Sequence, residues 1–374
     1  MSRITRTVVA LAVMVGVASF GSIEARAAER RRTVDIAICL DTSGSMSGLI
    51  NSAREKLWQI VSELATAKPE PRLRVALLTY GTPRYGADNG FVHVDHDLTD
   101  DLDGVYETLF ALRTNGGDEY VARAVKTAVQ SLSWDKDPES LRMIFVAGNE
   151  SADQDPRVTN EVACEMAARN DSIVNTIYCG AENNSDAAGY RRVATLADGR
   201  FAAIDHNSGT VVITTPYDKE LSRLSGELNK TYIAYGRRRE AFAARQRAQD
   251  ANAMSMSASA SAERAVAKSS GLYRNSAWDV VDAVEREGKD VNEIATDELP
   301  EEMRKMTDEE RIAYVEKKAK ERTEIQKKIR ELSAKRASYV RDEMKKKSLS
   351  DDESFDAAVR GAVREQAEKK GFAF

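Results

Sequence analysis

The first 215 residues alternate short apolar runs with amphipathic stretches. The apolar runs are typical of buried strands and lie at residues 34–40, 74–80, 141–147, 172–179 and 201–204, with a weakly alternating edge strand at 91–95. Between them, apolar residues recur at spacings of three and four, which predicts helices at residues 48–66, 101–112, 119–132, 158–169 and 187–196. This alternation predicts an α/β fold with a doubly wound, mostly parallel sheet. In such sheets, ligands bind at the carboxyl ends of the strands.

The sequence pattern changes near Pro216. Six of the seven prolines and all three cysteines lie at or before this residue, and charged, Ala-rich helical sequence dominates the rest. We therefore predict an α/β domain over residues 33–215 and a helical C-terminal region over residues 216–374. In the second region, Thr307 begins a capping box that opens a long helix, which ends near residue 346.

The long helix carries a narrow stripe of apolar and long-stemmed side chains. Its members are Ile312, Val315, Ala319, Arg322, Ile325, Ile329, Leu332, Arg336 and Tyr339. Steps of three and four residues are those of a coiled-coil seam. We predict that a final helix, beginning near residues 350–353, folds back on this seam as an intramolecular hairpin, which leaves the protein a monomer. A coiled-coil dimer is the alternative.

The N-terminus has the features of a cleaved signal peptide. Arg3 and Arg6 precede an apolar run at residues 8–20, and the small residues at 25–27 supply a cleavage site. We therefore predict that residues 1–27 are removed. The mature chain is then expected to be periplasmic or secreted, without a membrane span.

Composition and charge add two constraints. The chain has 55 Lys and Arg against 60 Asp and Glu, a net charge of -5, so nucleic acid is not an expected partner. Because disulfides can form in an exported protein, Cys164 and Cys179 are candidates for a bridge, which their spacing alone neither establishes nor excludes. Cys39 lies inside a predicted central strand and is expected to stay a buried thiol.

Candidate chemistry is concentrated in the turn that follows the first strand. Asp41, Ser43 and Ser45 alternate around a glycine-containing turn, so their oxygens can converge on one point. A carboxylate and two hydroxyls are hard ligands that suit an octahedral divalent cation, above all Mg²⁺. The alternative is that these residues only cap the following helix. Capping alone has no need of both serines, which favours the metal.

This Asp-x-Ser-x-Ser sequence after a buried strand resembles the metal-ion-dependent adhesion site of von Willebrand factor A domains, and the resemblance extends over about residues 33–215. It implies that the three turn residues bind a metal ion directly or through water. In that family a second loop supplies a threonine just after glycines, and the matching position here is Asp118, which we assign to the site. Thr114 is an alternative ligand, and Asp118 could instead only cap a helix.

The chain departs from that family after its strand at residues 141–147. The family carries an aspartate where this chain has Gly148, so Asn149 or Glu150 must replace it if the site is complete. We assign Glu150 to the site because of its charge, although Asn149 is nearer. A plain turn without a ligand is the remaining interpretation.

The resemblance, which extends to exported bacterial von Willebrand factor A proteins with a helical C-terminal region, implies a binding module. We expect a metal-ion-dependent, adhesion- or scaffold-type protein-binding module of the cell envelope, in which a partner's carboxylate completes the coordination of the cation. The alternative is a structural protein whose degenerate metal site only ties loops together and whose charged helices make the contacts. An enzyme is not expected, because no His, Lys or second pair of carboxylates is spaced to serve as a base and neither serine has a recognisable activating partner.

Overall fold

A computed structural model describes residues 31–204, 213–347 and 355–374. The predicted signal peptide and the predicted start of the last helix near residues 350–353 lie outside these ranges. Six strands form one sheet: β1 (Thr33–Asp41), β2 (Arg72–Tyr80), β3 (Val92–Thr99), β4 (Leu141–Gly148), β5 (Ser172–Cys179) and β6 (Phe201–Ile204).

The sheet has the strand order β3-β2-β1-β4-β5-β6, and every neighbouring pair is parallel except β2 with β3. The predicted doubly wound, mostly parallel sheet is therefore confirmed. β1 lies at its centre and is buried over its full length, as expected for a near-continuous apolar run that is covered on both faces. β3 is the antiparallel edge strand and is only partly buried.

Five helices cover the two faces of the sheet: α1 (Ser47–Leu64), α2 (Leu102–Ala111), α3 (Val121–Ser131), α4 (Asn160–Arg169) and α5 (Ala187–Leu196). Because side chains alternate along a strand, Ile36 and Ile38 of β1 join one core with α1 and α2. Ala37 and Cys39 join a second core with α3, α4 and α5. The loops that carry polar chemistry consequently meet at the ends of the strands.

The described part of the C-terminal region has seven helices: α6 (Asp218–Asn229), α7 (Arg239–Met256), α8 (Ala258–Lys268), α9 (Val280–Glu287), α10 (Glu301–Arg304), α11 (Asp308–Lys346) and α12 (Phe355–Lys369). The predicted capping box of α11 is confirmed. The Thr307 hydroxyl accepts from the Glu310 amide (3.3 Å), and the Glu310 carboxylate accepts from the Thr307 amide (2.8 Å). Within the described ranges, no helix is both long enough and apolar enough to cross a membrane.

The seam of α11 packs mainly on helices of the same chain other than the final helix. The predicted hairpin of these two helices is therefore wrong. The seam faces α6, α8 and α9, and its buried apolar residues are Val315, Ala319 and Ile329. α12 lies instead against α1. There Val359 and Val363 join the core formed by α1 and the sheet.

Two arginines in the seam explain this choice of partner. Arg322 Nη1 donates to Asp279 Oδ2 (2.7 Å) and to Asp282 Oδ1 (2.9 Å). Arg336 Nε donates to Asp218 Oδ1 (2.8 Å) on α6. Because a buried guanidinium is tolerated only when it is paired, each arginine must face carboxylates. The apolar buried face of α12 offers none.

The C-terminal helices and the α/β region form one compact unit over residues 31–374. α8 and α12 pack on α1, and α7 packs on α2. Arg264 of α8 donates to Asp103 of α2 (2.8 Å), and its guanidinium carbon lies 4.6 Å from the ring centroid of Trp58 in α1. The two regions therefore pack into one continuous unit, although the sequence pattern changes near residue 215.

All three cysteines are buried free thiols, so the candidate bridge between Cys164 and Cys179 is not formed. Cys164 Sγ donates instead to the Val193 carbonyl (3.6 Å). Burial raises the pKa of Cys164 to about 11, and burial also raises the pKa of Cys39. Thiols in such surroundings stay protonated and unreactive.

Candidate metal site

The turn after β1 lies where the winding of the sheet reverses. β1 and β4 are neighbours at the centre of the sheet, and the chain proceeds outward from them in opposite directions. Asp41 is the last residue of β1, and Gly148 is the last residue of β4. In a doubly wound sheet this reversal opens a crevice at the carboxyl ends of the strands, which is the usual place for a ligand.

The structure brings the three turn residues together. Asp41 Oδ1 accepts from the Ser43 amide (2.7 Å), and the hydroxyls of Ser43 and Ser45 are 3.4 Å apart. Asn149 Nδ2, from the loop after β4, donates to Ser45 Oγ (3.0 Å). One carboxylate, two hydroxyls and one amide from two neighbouring loops thus form a single polar cluster.

Thr42 fixes the turn to its surroundings. Its amide and its hydroxyl both donate to the Tyr80 carbonyl (2.9 Å each), at the end of β2. Its carbonyl accepts from the Asn115 amide (2.8 Å), in the loop between α2 and α3. Three loops are therefore tied together at this point, and Asp41 and Ser43 on either side are held in place.

The buried acid contributed by the α2–α3 loop is Glu119, whereas Asp118 is exposed. Asp118 accepts only a long hydrogen bond from the Tyr120 hydroxyl (3.5 Å). Gly81 lets the two buried acids come close: it has φ +82°, and a Cβ at this position would lie 2.7 Å from Asp41 Oδ1 and 3.2 Å from Glu119 Cγ. Glycine accepts this conformation and leaves the needed space.

Four buried oxygens of the cluster have no hydrogen-bond donor: Asp41 Oδ2, both carboxylate oxygens of Glu119, and Asn149 Oδ1. Burial, followed by the facing Asp41 carboxylate, raises the pKa of Glu119 to about 10. Burial is also the main reason why the pKa of Asp41 is raised. Buried acceptors without partners are rare and costly. A hard cation is a species that would satisfy them, so these residues fit a divalent metal ion.

The donor set is poor in carboxylates. Among the described residues, no group of three or more His, Cys, Asp and Glu side chains is placed to hold a metal ion. A cation here would depend on Asp41 and Glu119 together with the serine hydroxyls, the amide oxygen of Asn149 and water. Such oxygen-only sets suit Mg²⁺, which usually keeps several waters.

Glu150 lies at the outer side of the cluster. Its side chain is exposed, and Oε2 accepts from Gln154 Nε2 (2.8 Å). Gln154 Oε1 in turn accepts from the Glu119 amide (3.4 Å). Glu150 therefore reaches the buried acids through Gln154 and through its charge, which contributes to the raised pKa of Glu119.

Two tyrosine hydroxyls occupy the space beside Gly148. A Cβ at Gly148 would lie 2.5 Å from the hydroxyl of Tyr80 and 2.5 Å from that of Tyr190. The Tyr80 hydroxyl donates to the Ala147 carbonyl (2.9 Å), whereas the Tyr190 hydroxyl has no partner. A side chain at position 148 is thus excluded, and the acid that the sequence lacks there is replaced by neutral hydroxyls.

Gly148→Ala is expected to lower the free energy of unfolding by about 1–3 kcal/mol, because the added methyl group overlaps both hydroxyls. Gly226→Ala is the matched control: a methyl group added to this exposed glycine of α6 would meet no atom within 4 Å, so the change should stabilise by about 0.5–1 kcal/mol. Urea denaturation of both variants measures the difference. Equal effects of the two substitutions would rule out the crowding at Gly148.

The α/β region matches a known domain family. Residues 35–216 match the family model of the von Willebrand factor type A domain. This vWA domain contains β1 from Asp35 onward, β2 to β6 and every residue of the candidate site. Its fold, a mostly parallel sheet between two helical layers, is the one that the sequence predicted. A comparison with the curated proteins found no match to the chain.

Solved structures with a vWA-like fold are distant in sequence. Proximal thread matrix protein 1 from the mussel byssus is 11% identical over 47% of this chain and 43% of its own, with a TM-score of 0.36. A second structure of that protein has a zinc-occupied MIDAS motif, with 10% identity, coverages of 46% and 42%, and a TM-score of 0.35. The pilus adhesin SpaC from Lactobacillus rhamnosus GG is 14% identical over 47% of this chain and 28% of its own, with a TM-score of 0.37. The chain spans less than half the length of each of these proteins.

Sequence reasoning missed three members of the site, Glu119, Tyr80 and Tyr190. Glu119 directly follows Asp118, and only the backbone of the loop decides which of two adjacent carboxylates turns inward. Tyr80 and Tyr190 lie in apolar stretches and look like ordinary core residues. The sequence offers one indication of the two tyrosines: Gly148 has no side chain, so side chains from elsewhere must fill the space beside it.

Proposed function

We propose that the vWA domain is a metal-ion-dependent protein-binding module that holds a divalent cation, Mg²⁺ above all, at Asp41, Ser43 and Ser45. The observation that carries this proposal is the set of four buried oxygens without donors at the reversal point of the sheet. A proton shared between Asp41 and Glu119 can satisfy two of them, but a cation can satisfy oxygens of all three residues at once. The fold supports the proposal, because carboxyl strand ends are where doubly wound sheets bind ligands.

Each residue of the cluster has a defined part in this proposal. Asp41 and Glu119 supply negative charge from two different loops, while Ser43, Ser45 and Asn149 supply neutral oxygens. A cation bound here would attract a further hard anionic ligand, such as a carboxylate. Tyr80 and Tyr190 keep the space beside Gly148 neutral, so one fewer carboxylate opposes that attraction.

The open side of the site is the one on which a partner would approach. Asp41 and Glu119 are buried, whereas Ser45 and Gly44 are exposed. An Asp or Glu side chain of a partner protein could therefore reach the cation over Ser45. Asp118 and Glu150 are exposed acids that are adjacent in the sequence to Glu119 and Asn149 of the site. They would repel a strongly acidic partner surface and favour a partner that presents a single acid within neutral or basic surroundings.

We propose a binding role without catalysis. The hydroxyls of Ser43 and Ser45 contact each other, and Asn149 donates to Ser45. The acids beside Ser43 are Asp41 and Glu119, which the proposal assigns to the cation, so neither is left as a base to activate a serine. The cell-envelope location is part of the proposal and rests on the N-terminal sequence.

Capture of a partner is expected to require both the metal and Asp41. Immobilised mature protein is incubated with periplasmic extract in Mg²⁺ or in excess chelator, and bound proteins are identified by mass spectrometry. A specific partner should be retained by wild type in Mg²⁺ and lost with chelator or with Asp41→Ala. Asp342→Ala, an exposed acid of α11, is the matched control and should retain it. A partner that survives both chelation and Asp41→Ala would support the alternative, in which the charged helices make the contacts.

A further inference from the structure

A second polar cavity lies at the opposite edge of the sheet from Asp41. It has a volume of about 510 Å³ and is lined by Arg72 and by residues 99–101 of the vWA domain on one side, and by residues of the C-terminal helices on the other. Arg72 begins β2 and Tyr80, which pairs with Asp41, ends it. At a rise of about 3.3 Å per residue, this cavity is roughly 25 Å from the candidate metal site.

Two buried donors in the wall of this cavity lack an acceptor. They are Asn275 Nδ2 and Arg274 Nη2. Asn275 is 6% exposed, and the orientation of its amide is defined because Oδ1 accepts from the indole of Trp278 (3.1 Å). Since buried donors are almost always satisfied in folded proteins, an acceptor is the missing element at this place.

Arg274 also lacks a direct ion pair. Within the described part of the chain, no carboxylate forms an ion pair with its guanidinium, and Glu287 on the rim of the cavity is exposed to water. Burial, and then the neighbouring guanidiniums of Arg31 and Arg286, lower the pKa of Arg274, while the carboxylates of Glu70 and Asp100 oppose this to a smaller extent. Burial and like charge thus outweigh the nearby acids, and an anion in direct contact would relieve them.

Two ion pairs hold the other arginines at the cavity. Arg72 pairs with Asp100 (3.0 Å), and Arg245, which lies beside the cavity, pairs with Asp101 (2.5 Å). Arg274 is therefore the cavity arginine without an ion-pair partner, while Asp100, Asp101 and Glu287 give the cavity three acids. These acids would tolerate a monoanion better than a phosphate dianion, which would place a second negative charge close to them.

An aromatic wall completes the cavity. The rings of Phe242 and Trp278 are nearly parallel, at an angle of 5°, with their centroids 6.3 Å apart. Both residues line the cavity. A small number of polar groups beside an aromatic surface is the usual composition of a small-molecule site.

We propose that this cavity binds a small organic monocarboxylate that carries an apolar group. The carboxylate accepts from Arg274 and Asn275, and the apolar group lies against Phe242 and Trp278. Because both the vWA domain and the C-terminal helices line the cavity, the ligand contacts both regions. The site is independent of the metal and of the partner proposed for Asp41.

Isothermal titration of the mature protein with phenylacetate tests this site. Wild type should bind phenylacetate with saturation and should not bind phenylacetamide, its neutral analogue. Arg274→Gln should weaken phenylacetate binding at least tenfold. Arg237→Gln, which changes an arginine whose side chain is 91% exposed, is the matched control and should bind as wild type.

A second variant keeps the test decisive if Arg274→Gln fails to fold. Asn275→Asp retains the oxygen that accepts from Trp278 and places a carboxylate beside Arg274, so it should raise the thermal midpoint and abolish phenylacetate binding. The proposal is overturned if wild type shows no saturable binding, if phenylacetamide binds equally, or if a folded Asn275→Asp protein binds phenylacetate as wild type does.

Discussion

Arg264→Met is expected to lower the free energy of unfolding of the whole protein by about 3–5 kcal/mol. Arg264 is 1% exposed and forms ion pairs with Asp103 on α2 and Asp250 on α7. Methionine preserves the stem of the side chain but removes the charge. Asp103, itself 3% exposed, is then left as a buried acid without the paired guanidinium, although the Tyr273 hydroxyl still donates to it (2.6 Å). Urea denaturation followed by far-ultraviolet circular dichroism measures the loss.

The control for this prediction is Arg223→Met. Arg223 pairs with Glu220 (2.8 Å) on the surface of α6, and both side chains are about half exposed, so its loss should change the free energy of unfolding little. Because Arg264 joins the vWA domain to the C-terminal helices, its variant should unfold in one transition that includes both regions. If Arg264→Met costs no more than Arg223→Met, or if residues 216–374 unfold separately in wild type, the shared core is not a cooperative unit.

Glu119→Gln is expected to weaken Mg²⁺ binding at least tenfold, about 1.4 kcal/mol or more, whereas Asp118→Asn should change it by less than about threefold. Each substitution replaces a carboxyl group by its neutral amide, and the two positions are adjacent in the sequence. Glu119 is buried with both carboxylate oxygens lacking donors, while Asp118 faces solvent. Because water and salt screen the interactions of exposed charges, the Asp118 carboxylate should change the Mg²⁺ affinity little.

Titration calorimetry of the two variants under the same conditions compares the two affinities, and circular dichroism confirms that both are folded. The reverse order of effects would assign the ligand to Asp118, as the family resemblance alone implies, and would remove Glu119 from the site. Comparable losses in both variants would mean that the loop acts through its total charge rather than through one buried carboxylate.

The central fold could be predicted because its signals are local. The apolar runs of β1, β4 and β5 are long enough to be recognised as buried strands, and the helices between them have clear three- and four-residue spacing. The partner of the α11 seam could not be predicted in the same way. Arg322 and Arg336 belong to the predicted stripe because of their long stems, but as buried cations they select the carboxylates of Asp279 and Asp218, which lie far away in the sequence.

The candidate site was predicted as far as consecutive residues determine it. Asp41, Ser43 and Ser45 converge because one short turn holds all three. The contributions from other loops depend on backbone directions that the sequence does not specify, as the exchange of Asp118 for Glu119 illustrates. Asn149 lies against Ser45 while Glu150 is held outward by Gln154, which the criterion of charge alone could not have anticipated.

The most direct measurement is the titration of metal-free mature protein with Mg²⁺, and with Mn²⁺ in parallel, for wild type and Asp41→Ala. If Asp41 belongs to a metal site, wild type should bind one cation with saturation and gain thermal stability from it, since a ligand that binds only the native state stabilises it. Asp41→Ala should remain folded and lose at least tenfold in affinity together with most of that gain. Failure of wild type to bind either cation, or equal binding by both proteins, would contradict the metal-dependent site.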